Sequence, residues 1–300
     1  MKVASYYSII PDNIKYWWPF WEWAGRELVT ALGGETTLIP CIRSDMMQKK
    51  VLKEFDSIEG NFDIVYCERF NIPTQKLKAD FVYTIIDDYV GNESLVHDFL
   101  ERLRPNLLCS MLYYKDDLRK FCENLGIKFL YLPWFVIDVP EYVEDRPIRG
   151  MMSGCVGAPY PVRGRMYKRF QELNRSDVVL SCSMGYGQYS LTKEEFLKTL
   201  NKTRYYFSGG ILDFQIPLKF MEACSHGACL VSPDLPMMKS CGFVDGENYV
   251  KFEGVEQIEE LLDSNSWQVI GKKGRLLIKE KHTVQVRAKQ ILEQINEGVV

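Results

Sequence analysis

Apolar residues run through this chain in two alternating rhythms. Short apolar runs read as strands, and two of them, Asp63–Cys67 and Phe81–Ile86, are continuous enough to be buried on both faces. The runs are Lys2–Ile9, Thr37–Pro40, Asp63–Cys67, Phe81–Ile86, Asn106–Ser110 and Lys128–Leu132, then Gly150–Val156, Val178–Cys182, Tyr205–Phe207, Ala228–Ser232 and Tyr249–Phe252. Between them apolar positions recur every three or four residues, which predicts helices. These cover the stretch leading through Leu32, then Asp45–Phe55, Glu93–Leu103, Lys115–Leu125, Met166–Leu173, Lys193–Leu200 and Val255–Leu262, a stretch from Trp267 onward, and Val284–Glu297. Thr192 is placed to cap the helix that begins at Lys193. Strand–helix alternation of this kind predicts an α/β chain with parallel sheets and right-handed crossovers. The pattern pauses at Val139–Arg149, where two prolines and mixed charges suit a linker, and then restarts. Two doubly wound, Rossmann-like domains are expected, over residues 1–145 and 146–283.

Composition fits that picture and removes several function classes. The 300 residues are 46% hydrophobic and 26% charged, as in soluble globular proteins. A net charge of −3 gives no electrostatic footprint for nucleic acid or an anionic membrane. No apolar run reaches the roughly 18 residues of a membrane span, and Met1–Tyr7 reads as a strand rather than a secretory leader. The nine cysteines are scattered, without C-x-x-C spacing, and only three histidines accompany them. That argues for buried thiols in a reducing, cytoplasmic setting and against a zinc site.

The chemistry gathers between Ser208 and Pro233. Gly209 and Gly210 let the backbone leave the preceding strand, Pro217 suits the first turn of a helix, and Gly227 suits its left-handed end. Leu218, Met221 and Cys224 share one helical face, expected to turn to the core. Lys219 and Glu222 lie three apart on another side. A loop feeding a helix N-terminus suits a phosphate, and a Glu further along suits a ribose diol. Alternatively the two form a solvated surface pair worth a few tenths of a kcal/mol. Earlier, Arg163 and Arg165 sit in a Gly- and Pro-containing loop, Gly157–Arg165, as candidate forks for a diphosphate.

Three stretches carry a resemblance. Pro217-Leu-Lys-Phe-Met-Glu-Ala-Cys-Ser-His-Gly-Ala-Cys-Leu-Val231 resembles the donor-site signature of group 1 glycosyltransferases with the GT-B fold. Cys155-Val-Gly-Ala-Pro-Tyr-Pro-Val-Arg163 and Glu280-Lys-His-Thr-Val-Gln-Val-Arg287 resemble the opening and the tail of the CgeB-like branch. The resemblance implies two domains facing a cleft, with a last helix over 284–300 crossing back to the first. It implies transfer of a sugar from a nucleoside-diphosphate sugar, a UDP-sugar foremost, to an unidentified acceptor, without metal or other cofactor. Glu222 then serves the ribose, the loop Gly209, Gly210, Asp213, Phe214, Gln215, Ile216, Pro217 with Leu218 serves the phosphates, and Lys219 and Arg163 offset the diphosphate charge. Phe214 stands where related retaining enzymes carry a first Glu, with Asp213 one step off. His226 reads as a helix-end residue favoured by the dipole, and His282 as structural or domain-bridging. The absence of D-x-D counts against a metal-dependent GT-A enzyme.

The first half offers acceptor-side candidates. Asp87 and Asp88 end the Phe81–Ile86 run, at the edge where parallel sheets bind ligands. They suit a catalytic base or a partner for an acceptor hydroxyl, and equally Asp88 suits a helix cap. Tyr7, Trp17 and Trp18 suit stacking on a sugar or apolar acceptor, or else a core beneath the first loop. A sugar-nucleotide epimerase of the same architecture, and a non-catalytic nucleotide-sugar-binding module, stand as the other readings.

Overall fold

A computed structural model describes residues 1–9, 27–33, 35–42, 53–55, 61–68, 71–73, 77–86, 93–111, 116–157, 160–184, 191–210 and 215–297. These form two compact units, one of residues up to Pro133 with those from Val284 onward, the other Trp134–Thr283.

The first unit holds a six-stranded sheet in the order β2-β1-β4-β6-β7-β8. Its strands are β1 (Lys2–Ile9), β2 (Glu35–Ile42), β4 (Phe62–Glu68), β6 (Ala79–Ile86), β7 (Leu107–Ser110) and β8 (Lys128–Tyr131). Every pairing is parallel. Helices Glu93–Leu103 and Asp116–Asn124 bury Val96, Phe99, Leu100, Leu118 and Cys122 against Ile86 and Leu108. The helix expected over Asp45–Phe55 is corrected at its end. Lys53–Phe55 is a strand, β3, paired in parallel with β5 (Asn71–Pro73), so its backbone groups are met by a ladder rather than a helical turn. The last helix, Val284–Asn296, belongs to this unit. Its Arg287 is 2% exposed and donates from Nε to the carbonyl of Pro133 at 2.9 Å.

The second unit holds a five-stranded parallel sheet in the order β10-β9-β11-β12-β13. The strands are β9 (Ile148–Cys155), β10 (Val178–Ser183), β11 (Thr203–Phe207), β12 (Cys229–Ser232) and β13 (Val250–Lys251). From β9 the chain crosses to β10 on one side and then returns to β11 on the other. The gap between β9 and β11 is therefore a topological switch point, beside which open α/β sheets bind ligands at their carboxyl edge. Met152, Phe170, Phe207, Val231, Ile258 and Trp267 lie in the core beneath one face. The two-unit α/β, Rossmann-like architecture is the one the apolar rhythm predicts.

Residues 139–149, expected as a linker, are packed into this unit. Arg146 is 1% exposed, and its guanidinium donates to the carbonyls of Thr203 (2.7 Å), His226 (2.5 Å) and Leu200 (3.2 Å). Mixed charge reads as solvated in a sequence, yet a buried guanidinium satisfied by carbonyls serves as a fixed tie. His282 is likewise buried, with Nε2 2.7 Å from the carbonyl of Cys241, while its own carbonyl accepts from the amide of Val136.

Candidate functional site

The carboxyl edge of β9 sets the site. The helix after it spans Pro161–Leu173, with Pro at its start. Arg163 therefore lies in a first helical turn, not in the loop expected from its glycines and prolines. A proline needs no hydrogen bond there, so the helix begins a turn early. Arg163 is 6% exposed. Its Nε donates to the carbonyl of Gly209 (3.2 Å), Nη2 to that of Gly210 (3.0 Å) and Nη1 to that of Cys155 (3.4 Å). Its guanidinium also lies 4.3 Å from the centre of the Tyr160 ring. One buried cation thus ties the end of β9 to the exit of β11, across the switch point.

The two glycines make that tie possible. A side chain at Gly209 would meet Cγ of Arg163 at 3.3 Å, and one at Gly210 would meet the carbonyl of Gln215 and Leu235 at 3.0 Å. Gln215, Ile216 and Pro217 are buried and lead into the helix Leu218–Ser225. Pro217 is its N-cap rather than its first helical residue. At the other end Gly227 has φ +76°; its amide donates to Cys224 and that of Ala228 to Ala223, a Schellman closure.

This helix is enclosed on nearly all sides. Phe220, Met221, Glu222, Ala223, Cys224 and Ser225 are all buried, whereas an amphipathic helix with one core stripe was expected. Leu218 is half-buried. The cause is a second layer: Gly274 of helix Trp267–Lys281 comes so close that a Cβ there would stand 3.5 Å from Sγ of Cys224. Glu222 is 6% exposed, which excludes the solvated surface pair.

Lys219 extends from the first turn of the helix to Ser153 on β9, with Nζ 3.1 Å from Oγ. That hydroxyl also lies 2.8 Å from the hydroxyl of Tyr206 on β11. Gly154, at φ +107°, leaves room for both cations: a Cβ there would stand 3.0 Å from Nζ of Lys219 and 3.4 Å from Nη1 of Arg163. Burial pulls Lys219 down to about 8, and Arg163 beside it pulls the same way while Glu222 opposes. Glu222 forms an ion pair with Lys193, the first residue of helix Lys193–Asn201, whose N-cap Thr192 closes a capping box with Glu195. Burial pulls Lys193 down to about 8 as well, against the pull of Glu222. His226 caps the helix; its Nδ1 lies 2.8 Å from the carbonyl of Glu222. Burial lowers its pKa, against the pull of the Glu222 carbonyl and carboxylate, so the charged form expected from the dipole is disfavoured.

Of the expected site residues, the structure brings Arg163, Gly209, Gly210, Gln215, Ile216, Pro217, Leu218, Lys219 and Glu222 together around this edge. Asp213, Phe214, Asp87, Asp88, Trp17 and Trp18 lie outside the described residues. Tyr7 lies on β1, its backbone paired with Pro40. Arg165, the other diphosphate candidate, is exposed and lines a hollow of about 300 Å³ with Val162, Pro233, Phe252 and residues 253–256. Sequence reasoning missed Ser153, Gly154, Tyr206 and Lys193. Only Lys193 carried a sequence signal, as the first residue of a capped helix that follows the glycine-containing stretch Met184–Tyr189. Among the described residues no three His, Cys, Asp or Glu side chains gather as a metal site, and no helix is long and apolar enough to cross a membrane.

No curated protein shows significant sequence similarity to this chain. Among solved structures, a glycosyltransferase from Rickettsia africae superposes with a TM-score of 0.59 at 8% identity, over 99% of this chain and 98% of that one. A putative UDP-N-acetylglucosamine 2-epimerase from Listeria monocytogenes gives 0.50 at 14%, over 99% and 96%. A variant of S. aureus TarM, crystallised with UDP and alpha-GlcNAc-glycerol, gives 0.54 at 13%, over 78% of this chain. The match spans little more than half of the TarM chain, 55%. Residues 163–293, which begin at the buried arginine and end in the last helix, match the model of the glycosyl transferase-like family. That match covers less than half of the chain, and the two parallel sheets have the fold of the GT-B glycosyltransferases.

Proposed function

We propose that this protein is a glycosyltransferase that moves a sugar from a nucleoside-diphosphate sugar, a UDP-sugar first among them, to an acceptor. The observation that carries the reading is the convergence of Arg163, Lys219 and Glu222 at one switch point, inside the segment that matches the family. In this reading the amides opening the Leu218–Ser225 helix and the loop from Gly209 receive the diphosphate. Lys219 offsets the charge that grows on the leaving diphosphate, and Glu222 accepts hydrogen bonds from the ribose. Arg163 spends three of its donor contacts on backbone carbonyls, so its part is to shape the phosphate loop as well as to add charge. Asp87 or Asp88 would supply the base or the acceptor-hydroxyl contact, and Tyr7, Trp17 and Trp18 the acceptor surface. No metal is needed in this scheme, so transfer should survive EDTA.

Thermal unfolding against a panel of nucleotides and nucleotide sugars tests it. A ligand at about 100 times its Kd adds roughly 2.7 kcal/mol, a shift of several degrees for a domain of this size. One nucleoside diphosphate and its sugar should shift the wild type, and Glu222→Ala should lose that shift while remaining folded. No shift with any member of the panel refutes the reading. Inversion at a carbon of the bound sugar without any acceptor would favour instead an epimerase, the activity ascribed to the Listeria neighbour.

A further inference from the structure

We infer that Lys193 is a positioning residue of the nucleotide site: its ammonium fixes the Glu222 carboxylate for the ribose and adds a second cation beside Lys219 for the diphosphate. This rests on the donor-site reading above and assigns it a residue outside the helix and loops of the expected motif.

The geometry carries the inference in three steps. Glu222 projects from the Leu218–Ser225 helix and is 6% exposed, so its direction is set by whatever it bonds. Its partner comes from a different element, the first residue of helix Lys193–Asn201, held in register by the Thr192–Glu195 capping box. That box fixes the backbone of Lys193, so the ammonium is delivered from a rigid base rather than from a loop. Next, Lys193 and Lys219 converge: their Nζ atoms lie 5.3 Å and 5.6 Å from the centre of the same ring, Phe196. A carboxylate that only tied two helices together would need one cation. Here a second ammonium from Glu222's own helix lies close enough to feel both Glu222 and Lys193. Finally, gathering like charges costs energy in a partly buried setting, and buried ion pairs contribute little net stability. A dianionic or trianionic ligand relieves that repulsion, and a nucleoside diphosphate presents such a charge next to a ribose diol. Lys193 keeps 28% of its side chain exposed, so a ligand can reach it.

The test compares Lys193→Gln, Lys193→Arg, Glu222→Gln and the double variant Lys193→Gln/Glu222→Gln, each checked by circular dichroism, with UDP binding measured by calorimetry at pH 7. Lys193→Gln should weaken UDP binding about tenfold or more, and Lys193→Arg should restore it to within about threefold. The double variant should bind more weakly than Glu222→Gln alone, yet lose less than the two single losses combined, because the lysine acts partly through the carboxylate and partly on the diphosphate. Wild-type affinity in Lys193→Gln overturns the inference while leaving the donor-site reading intact. Additive losses in the double variant also overturn it, since Lys193 then acts independently of Glu222. If Lys193→Gln fails to fold, a Lys193→Arg variant that folds yet binds no better than Glu222→Gln overturns it too. A wild type that binds neither UDP nor any other nucleoside diphosphate removes the donor-site reading itself, and the role of Lys193 with it.

Discussion

Replacing Arg163 by lysine separates a loop-shaping role from a purely ligand-binding one. The substitution keeps the positive charge but removes a fork that donates to the carbonyls of Gly210, Gly209 and Cys155 at 3.0, 3.2 and 3.4 Å. A hydrogen bond from a charged donor is worth about 1.5–3 kcal/mol. A lysine ammonium is a single point on a shorter reach and can keep one of the three. The longest contact is the weakest, so the loss is dominated by one of the two glycine carbonyls, about 2–4 kcal/mol in all. The packing of the guanidinium on Tyr160 at 4.3 Å is lost as well, which pushes toward the upper end. At about 2–4 °C per kcal/mol for a domain of this size, the ligand-free second unit should melt roughly 5–15 °C lower. Differential scanning calorimetry without nucleotide reads this directly, and UDP titration of the same variant should show weakened binding because the Gly209–Gly210 backbone is no longer pinned. A variant that melts within a degree of the wild type would refute the tie across the switch point, whatever it did to UDP affinity.

Three further outcomes follow from the packing and the charges. Gly271→Ala would ordinarily favour a helix interior by about 1 kcal/mol, but its Cβ would stand 2.5 Å from the carbonyl oxygen of Gly227. Overpacking of about 1–3 kcal/mol should win, giving net destabilisation in urea; a more stable variant would show that the two helices separate freely. Lys193 and Lys219 titrate near 8 in the folded protein against an ordinary 10.5. Between those values the unfolded chain binds more protons than the native one, so their contribution to stability should rise with pH. A bound diphosphate favours the charged lysines, so UDP affinity should fall over the same rise. Affinity that holds steady from pH 7 to 9.5 in calorimetry would remove both lysines from the site.

Most strands and helices were legible because buried strands leave short apolar runs and one-sided helices leave a three-to-four-residue beat. Glu93–Leu103 was readable in full, and so was the left-handed close at Gly227, since each depends on local chemistry. The helix Leu218–Ser225 was readable in place but not in character. Its burial on nearly all sides comes from a layer contributed some fifty residues later, which no local period reports. Lys53–Phe55 escaped for the same reason, its partner being a separate three-residue strand. At the site, the motif pointed to Arg163, Lys219 and Glu222 as charges but not to their contacts. That Arg163 grips carbonyls, and that Glu222 meets a lysine from another helix, are facts of long-range packing. Ser153 and Tyr206 were invisible because polar residues within two strands become a hydrogen-bonded pair only once the strands are paired.

The return of the last helix to the first unit has a consequence in time. Residues emerge from the ribosome in order, and domains generally fold as units as they emerge. The helix Val284–Asn296, whose Arg287 holds the carbonyl of Pro133, accepts a contact from Lys128 at the carbonyl of Gln294. Those partners are separated by 154 and 166 positions, and the whole of Trp134–Thr283 is made in between. The unit begun first is thus the one completed last, and until its closing helix arrives it must wait with that surface open.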